Sequence, residues 1–100
     1  MIKLTVLYHH RADPDAFARN DEDVHAPLVG TLPLEGFHWG RVLSLADGSP
    51  APYFWSAGLF FADAASMAAV LGTEQGQAVS ADVTNFAPDG PALLLVSEST

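Results

Sequence analysis

Residues 53–61 read Tyr-Phe-Trp-Ser-Ala-Gly-Leu-Phe-Phe, a stretch rich in aromatic residues that predicts a β-strand. Apolar side chains occupy both of its faces. One face carries Tyr53, Trp55, Leu59 and Phe61, and the other carries Phe54 and Phe60. The last predicted strand, residues 92–97, has the same property, because Leu94 and Val96 alternate with Leu93 and Leu95. A sheet with one face in water alternates apolar with polar residues, so these strands indicate a sheet that is covered on both faces.

Hydrophobic periodicity places further strands and helices around this strand, in the order β-α-β-β-α-β. The predicted elements are strand 2–8, helix 14–29, strand 36–46, strand 53–61, helices 64–71 and 73–86, and strand 92–97. Asp13 and Asp63 are predicted N-caps, Pro14 suits a first helical position, and Pro27 is expected to kink or stop the first helix. This order is typical of a ferredoxin-like α+β fold, in which right-handed crossovers put both helices on one face of a four-stranded antiparallel sheet.

The face without helices therefore needs cover of its own. An identical sheet in a twofold dimer is the economical solution, so we expect a homodimer formed through the sheet face. The alternative is a monomer with an exposed apolar face.

Composition excludes several classes of function. The 100 residues predict a single domain, residues 1–100, with a net charge of −8. Such a chain repels nucleic acid and anionic membranes, and it has no run of residues that resembles a signal peptide or a membrane span. Cysteine is absent, which excludes disulfides and thiol chemistry and suits the cytoplasm.

Six segments, in order along nearly the whole chain, carry a resemblance to a known family. They are Met1-Ile2-Lys3-Leu4-Thr5-Val6-Leu7-Tyr8, His25-Ala26-Pro27-Leu28, Arg41-Val42-Leu43, Asp47-Gly48-Ser49-Pro50-Ala51-Pro52-Tyr53, Glu74-Gln75-Gly76-Gln77-Ala78 and Asp82-Val83-Thr84-Asn85-Phe86. The chain resembles the EthD family, named for ethyl tert-butyl ether degradation. The resemblance implies a dimeric α+β barrel with a pocket between each sheet and its own helices. Relatives in the wider superfamily carry out cyclase, isomerase, decarboxylase and monooxygenase reactions without an external cofactor.

His25 is the candidate catalytic residue, because imidazole exchanges protons near neutral pH. Asp21 lies one helical turn before it and could orient or charge the ring. The alternative is a structural histidine that binds a carbonyl group freed by Pro27. The acidic run Asp21-Glu22-Asp23 is most simply a solvated helix face.

Five further residues are candidates for substrate binding: Tyr8, Arg41, Tyr53, Trp55 and Phe86. The aromatic residues could line an apolar cavity or could be plain core contacts. Arg41 could bind a ligand oxygen or could pair with Asp82 or Asp47. His9 and His10 point to opposite faces of a strand, so we expect no metal site.

Two functions fit these observations. The first is cofactor-independent proton transfer on a small apolar carbonyl or polyketide-like compound, in catabolism or secondary metabolism, by a lyase, isomerase or cyclase. His25 would carry the proton, and Tyr8 or Arg41 would hold the oxygen that gains charge. The second is a non-catalytic accessory protein that holds a hydrophobic metabolite in the same cavity.

Overall fold

The order β-α-β-β-α-β is confirmed by the structure, a computed structural model that describes residues 1–100. The strands are β1 (Ile2–His9), β2 (Gly36–Arg41), β3 (Tyr53–Phe61) and β4 (Leu93–Glu98). The helices are α1 (Pro14–Asn20), α2 (Ala26–Val29), α3 (Ala64–Gly72) and α4 (Glu74–Phe86), and a π-helical segment (Asp21–His25) joins α1 to α2. No helix has both the length and the apolar character needed to cross a membrane.

The four strands form one antiparallel sheet in the order β2-β3-β1-β4. β1 is central, and its Val6 lies opposite Ala57 of β3 on one side and Leu94 of β4 on the other. Strands β2 and β4 are the two edges. The predicted ferredoxin-like α+β fold is confirmed.

The core lies between the helices and one face of this sheet. Phe17 of α1 packs against Tyr8 and Trp55 of the central strands. Val29 of α2 and Val79 of α4 belong to a second buried cluster farther along the same face. All helices therefore cover one face, called here the helix side, and the other face is called the helix-free side.

Both predicted helix starts are confirmed. The side chain of Asp13 accepts a hydrogen bond from the amide of Ala16 at 3.1 Å, and Pro14 occupies the first turn. Asp63 accepts a hydrogen bond from the amide of Ser66 at 2.7 Å. These caps satisfy amide groups that the first helical turn leaves without partners.

The first helix differs from the prediction over Asp21–His25, where the winding widens into a π-helix. The amide of Ala26 there bonds to the carbonyl of Asp21, five residues back. Pro27 follows directly, and proline has no amide proton and clashes with the carbonyl four residues before it. We attribute the wide turn to this proline, and the helix continues to Val29 before it ends.

The prediction that Phe54 lies on the face opposite Trp55, together with Phe60, is wrong. Tyr8 pairs with Trp55 but His9 pairs with Tyr53, so Phe54 is the extra residue of a β-bulge. The bulge interrupts the alternation, and Phe54 joins Trp55 in the buried core.

The end of β2 is also earlier than predicted, at Arg41 rather than Ala46. Val42 makes one more backbone hydrogen bond to β3, through the carbonyl of Phe54. β3 begins at Tyr53, so it offers no further partner to the chain after Val42, and the amide of Leu45 donates a hydrogen bond to the carbonyl of Ser49. The residues from 43 to 46 keep a strand-like alternation but have no neighbouring strand.

The prediction that β4 is apolar on both faces is confirmed. Its register with β1 places Leu94 and Val96 on the helix side, because they lie opposite Val6 and Leu4. Leu93 and Leu95 lie on the helix-free side, where both are exposed. Polar residues such as Lys3 and Ser56 share that side, so it is mixed rather than uniformly apolar.

Gly76, at the start of α4, sits where a side chain has no room. A Cβ atom there would collide with the backbone of Val70 and Leu71 at the end of α3. We predict that Gly76→Ala destabilises the fold by about 1–3 kcal/mol through overpacking. Thermal unfolding followed by circular dichroism measures the loss. Gly72→Ala is the matched control, since a Cβ at Gly72 meets open space, and equal losses for both variants would contradict the close-packing explanation.

Candidate functional site

A cavity of about 460 Å³ lies between the helix side of the sheet and the helices. Its walls are mostly aliphatic, with Leu4, Val6, Leu59 and Val83 among them. Four lining side chains bring polar atoms, namely Tyr8, Asp21, His25 and Ser80, and no lysine or arginine is among the lining residues. An apolar cavity with a few placed polar groups is typical of a small-molecule site.

His25 is buried at the end of the π-helical segment, with 8 % of its surface exposed. Its Nδ1 lies 2.9 Å from Oδ2 of Asp82 on α4. Because a carboxylate accepts hydrogen bonds, Nδ1 carries the proton in this pair and Nε2 is the unprotonated nitrogen of the neutral ring. His25 lines the cavity and Asp82 does not, and Nε2 is the ring nitrogen that Asp82 does not engage.

Asp82 is itself held in place from two sides. Its Oδ1 accepts a hydrogen bond from Nδ2 of Asn85 at 3.0 Å, while Oδ2 accepts from His25. The ring of Phe86 packs 4.8 Å from the imidazole ring, centre to centre. One helix thus supplies the carboxylate, its support and an aromatic wall for His25.

Asp21 is buried more deeply than His25, at 4 % exposure. Its Oδ2 accepts a hydrogen bond from Nε1 of Trp55 at 3.1 Å. Burial raises the pKa of Asp21 above its ordinary value, and the nearby His25 and the Trp55 hydrogen bond oppose that rise. Asp21 therefore does not orient the His25 ring by contact, as the sequence suggested, because Asp82 holds that position. The interpretation of the acidic run as a solvated face holds for Glu22 and Asp23 and is wrong for Asp21.

Tyr8 brings a hydroxyl group to the cavity from the centre of the sheet. Burial is the main reason that its pKa is raised, and the negative charges of Asp21 and Asp82 add to the effect while Arg11 opposes it. The phenol therefore stays protonated over the physiological range and acts as a hydrogen-bond donor. Its ring is fixed by Phe17, 5.2 Å away in an edge-on arrangement.

The other predicted binding residues do not line this cavity. Trp55 is fully buried and supports Asp21, and Phe86 supports His25. Tyr53 lies at the start of β3, beside His9. Arg41 pairs with Asp15 at 3.0 Å, and with neither Asp82 nor Asp47, and its guanidinium group stacks over Phe54.

The remaining histidines lie away from the cavity. His10 donates a hydrogen bond to the carbonyl of Ala51 at 2.8 Å, and His38 packs beside Phe60 on the helix-free side. No group of three or more histidine, cysteine or acidic side chains is close enough together to hold a metal ion.

Fold and cavity together define a ferredoxin-like α+β protein with a largely apolar cavity between its sheet and its helices. No family model matches the chain. It is 37 % identical to an uncharacterised 11.0 kDa protein of Rhodococcus erythropolis, from the thcB-thcC intergenic region, over 100 % of this chain and 97 % of the relative. It is also similar to the crystal structure of an EthD family protein from Bacillus halodurans, with a TM-score of 0.89 and 26 % identity over 100 % of this chain and 99 % of the other. The chain belongs to the EthD family.

More distant structures share the fold. The hydroxynitrile lyase of Passiflora edulis matches with a TM-score of 0.67 and 12 % identity over 96 % of this chain and 87 % of its own. Several others are described as dimeric ferredoxin-like proteins. One enzyme and several proteins described as dimeric therefore share this fold.

The raised pKa of Asp21 yields a prediction about stability. A carboxyl group with a raised pKa binds its proton more tightly in the folded than in the unfolded protein, so its ionisation costs stability as pH rises above the ordinary value of 3.8. Asp21→Asn keeps an oxygen for Trp55 and removes this cost. We expect the variant to unfold at a higher temperature than the wild type at pH 7.5.

The gain must shrink as pH falls below 4, where the wild-type carboxyl group is protonated in both states. Thermal unfolding at pH 7.5 and 3.5 checks this. Asp23→Asn, at an exposed position of the same segment, is the matched control. A variant less stable than the wild type at pH 7.5 would contradict the prediction.

Proposed function

We propose that this protein is an enzyme that moves a proton on a small, neutral, apolar carbonyl compound, as a lyase, isomerase or cyclase. The observation that carries the proposal is the Asp82–His25 pair at the wall of an apolar cavity. The proposed chemistry needs no cofactor, because imidazole and carboxylate suffice to accept, hold and return a proton.

His25 is the proposed base. Donation from Nδ1 to Asp82 leaves Nε2 to take the proton, and the carboxylate then stabilises the imidazolium ion that forms. The hydrogen bond from Asn85 keeps Asp82 oriented during this step. In a carboxylate–histidine pair of this kind, the carboxylate fixes one tautomer of the imidazole ring.

Tyr8 is the proposed oxyanion donor. When Nε2 of His25 removes a proton from the carbon beside the carbonyl group, the C–H electron pair moves into an enolate and its oxygen gains negative charge. The protonated hydroxyl of Tyr8 donates a hydrogen bond to that oxygen. The imidazolium ion then returns the proton to a different carbon, which gives an isomer, or to a departing group, which gives cleavage.

The charge of the cavity supports a neutral substrate. No cation lines it, and Asp21 contributes an acidic group, so nothing there would balance an anionic ligand. Its volume of about 460 Å³ is in the ordinary range for small-molecule sites, roughly 300–1,000 Å³. The aliphatic walls favour an apolar skeleton.

A protein that merely holds a metabolite needs no oriented base. A structural histidine bonded to a backbone carbonyl would favour that function, but His25 is bonded to a carboxylate that is itself supported. This favours the enzyme over the non-catalytic accessory protein.

We also propose that the protein is a homodimer through the helix-free side of its sheet. Leu93 and Leu95 are exposed there, Leu7 lies opposite Leu93, and Phe60 of β3 lies on the same side of the sheet. Relatives of the same fold that are described as dimeric support this assembly.

Proton abstraction can be tested before the natural substrate is known. Two neutral ketones, 2-tetralone and acetophenone, are incubated with the protein in D₂O, and exchange at the carbon beside the carbonyl group is followed by NMR. We expect catalysed exchange for at least one of them, and its loss in His25→Ala. Asp82→Asn should slow exchange about 100-fold or more, because the ring loses its orienting acceptor.

The matched control is His9→Gln, which removes an exposed histidine outside the cavity and should leave exchange unchanged. Exchange that survives in His25→Ala would contradict the assignment of the base. Ketones that bind without any catalysed exchange would instead support the accessory function.

A further inference from the structure

A second cavity, of about 390 Å³, lies between α1, the segment that leads into α1 from β1, and the end of α4. This cavity, called here the α1 cleft, shares no lining residue with the cavity beside His25. Phe17 and Phe86 belong to its wall, and their rings pack against Tyr8 and His25 respectively. A molecule in the α1 cleft is therefore a second ligand, separated from the first cavity by aromatic side chains.

The α1 cleft contains polar groups that the fold leaves unused. Two buried side-chain nitrogens in the whole chain have no hydrogen-bond partner, Nε of Arg11 and Nδ2 of Asn20, and both residues line this cleft. Nearly all buried polar groups in folded proteins are hydrogen-bonded, because an unpaired one costs free energy. Both nitrogens are donors, so an acceptor oxygen is the group that would satisfy them.

Arg11 is also a cation without a carboxylate partner. The chain has four basic residues against twelve acidic ones, yet neither of its ion pairs includes Arg11. Asp13 lines the cleft as well, but its carboxylate accepts a hydrogen bond from the amide of Ala16 as the cap of α1. The fold therefore supplies Arg11 with no counter-charge of its own.

The guanidinium group of Arg11 is held in place by aromatic rings. Its central carbon lies 5.2 Å from the ring centre of Phe17 and 6.0 Å from that of Tyr8. Stacking of this kind is favourable, and it leaves the N–H groups at the edge of the planar group available to a ligand. Nε–H and a neighbouring Nη–H form a parallel pair of donors that matches the two oxygens of a carboxylate.

Apolar side chains stand beside these donors. Four of the lining residues are apolar, namely Ala12, Ala16, Phe17 and Phe86. Such a wall disfavours a fully hydrated anion such as phosphate, because its further oxygens would lose water without gaining donors, and Nδ2 of Asn85 is already bonded to Asp82. A carboxylate attached to an aromatic or short apolar body matches both the polar and the apolar part of the cleft.

We propose that the α1 cleft binds a small organic carboxylate, with Arg11 and Asn20 donating hydrogen bonds to its oxygens and with its apolar body against Phe17 and Phe86. The carboxylate supplies the counter-charge of Arg11 and pairs both unused donors. This ligand and this cleft differ from those of the proposed carbonyl chemistry, so the site does not depend on that activity.

Benzoate is a suitable probe, because it joins a carboxylate to an apolar ring. Sodium benzoate is titrated into ¹⁵N-labelled protein at constant ionic strength, and the amide signals are followed by NMR. We expect saturable shifts concentrated at residues 11–20 and 85–88, with a Kd of about 1 mM or tighter. Benzamide has nearly the same shape but no charge, and it should bind at least about tenfold more weakly, because charge-assisted hydrogen bonds are the stronger ones.

Two variants test the two donors. Arg11→Gln removes the cation, and Asn20→Asp replaces the amide donor by an acceptor of the same size, so each should weaken benzoate binding at least about tenfold. Arg19→Gln removes an equal charge from an exposed position of the same helix and is the matched control, with unchanged affinity. Circular dichroism checks that the variants fold, and either of the two cleft variants suffices for the test.

Shifts that do not saturate, or that centre on the cavity beside His25, would overturn the proposal. Equal affinity for benzamide would also overturn it, since the carboxylate would then not be recognised. Unchanged affinity in Arg11→Gln would contradict the assigned donor, and an equal loss in Arg19→Gln would show only a general effect of charge. Saturable benzoate binding by a protein that exchanges no ketone would support this site and reject the enzymatic function.

Discussion

The hydrogen bond between His25 and Asp82 is the contact on which the site depends. It joins the irregular part of the first helical stretch to α4, across the wall of the cavity. Both side chains are almost buried, so either group without the other would be a buried polar group lacking a partner. His25 ends the widened turn that Pro27 follows, and π-helical segments are frequent at functional sites. The same wide turn buries Asp21.

Most of the fold could be predicted from residues that are close together in the sequence, because helix caps and hydrophobic periodicity depend only on such residues. The Asp13 and Asp63 caps, the order of the elements along the chain and the apolar character of β4 could all be derived that way. The errors arose where a distant partner decides the outcome. The bulge at Phe54 depends on the register of β3 against β1, and the end of β2 at Arg41 depends on where its partner β3 begins.

The site was predicted in part for the same reason. His25 could be predicted, because a histidine near a helical proline is a candidate functional residue. Its hydrogen-bond acceptor, Asp82, could not be predicted from local sequence because it lies 57 positions further along the chain. A signal for that acceptor existed: Asp82, Asn85 and Phe86 have the spacing of one helix face, and all three support the imidazole. For the aromatic candidates, hydrophobic periodicity predicts which face of the strand a side chain lies on, but it does not predict how deeply the side chain is buried. Trp55 consequently lies behind the cavity rather than in it.

The tautomer of the His25 ring is the most direct test of the proposed site. Long-range ¹H–¹⁵N NMR of the four histidines distinguishes Nδ1–H from Nε2–H, and the His25→Ala variant assigns the signal. We expect neutral His25 to carry its proton on Nδ1, and we expect Asp82→Asn to remove this preference. A His25 ring protonated on Nε2 in the wild type would leave no base facing the cavity, and it would contradict the central claim.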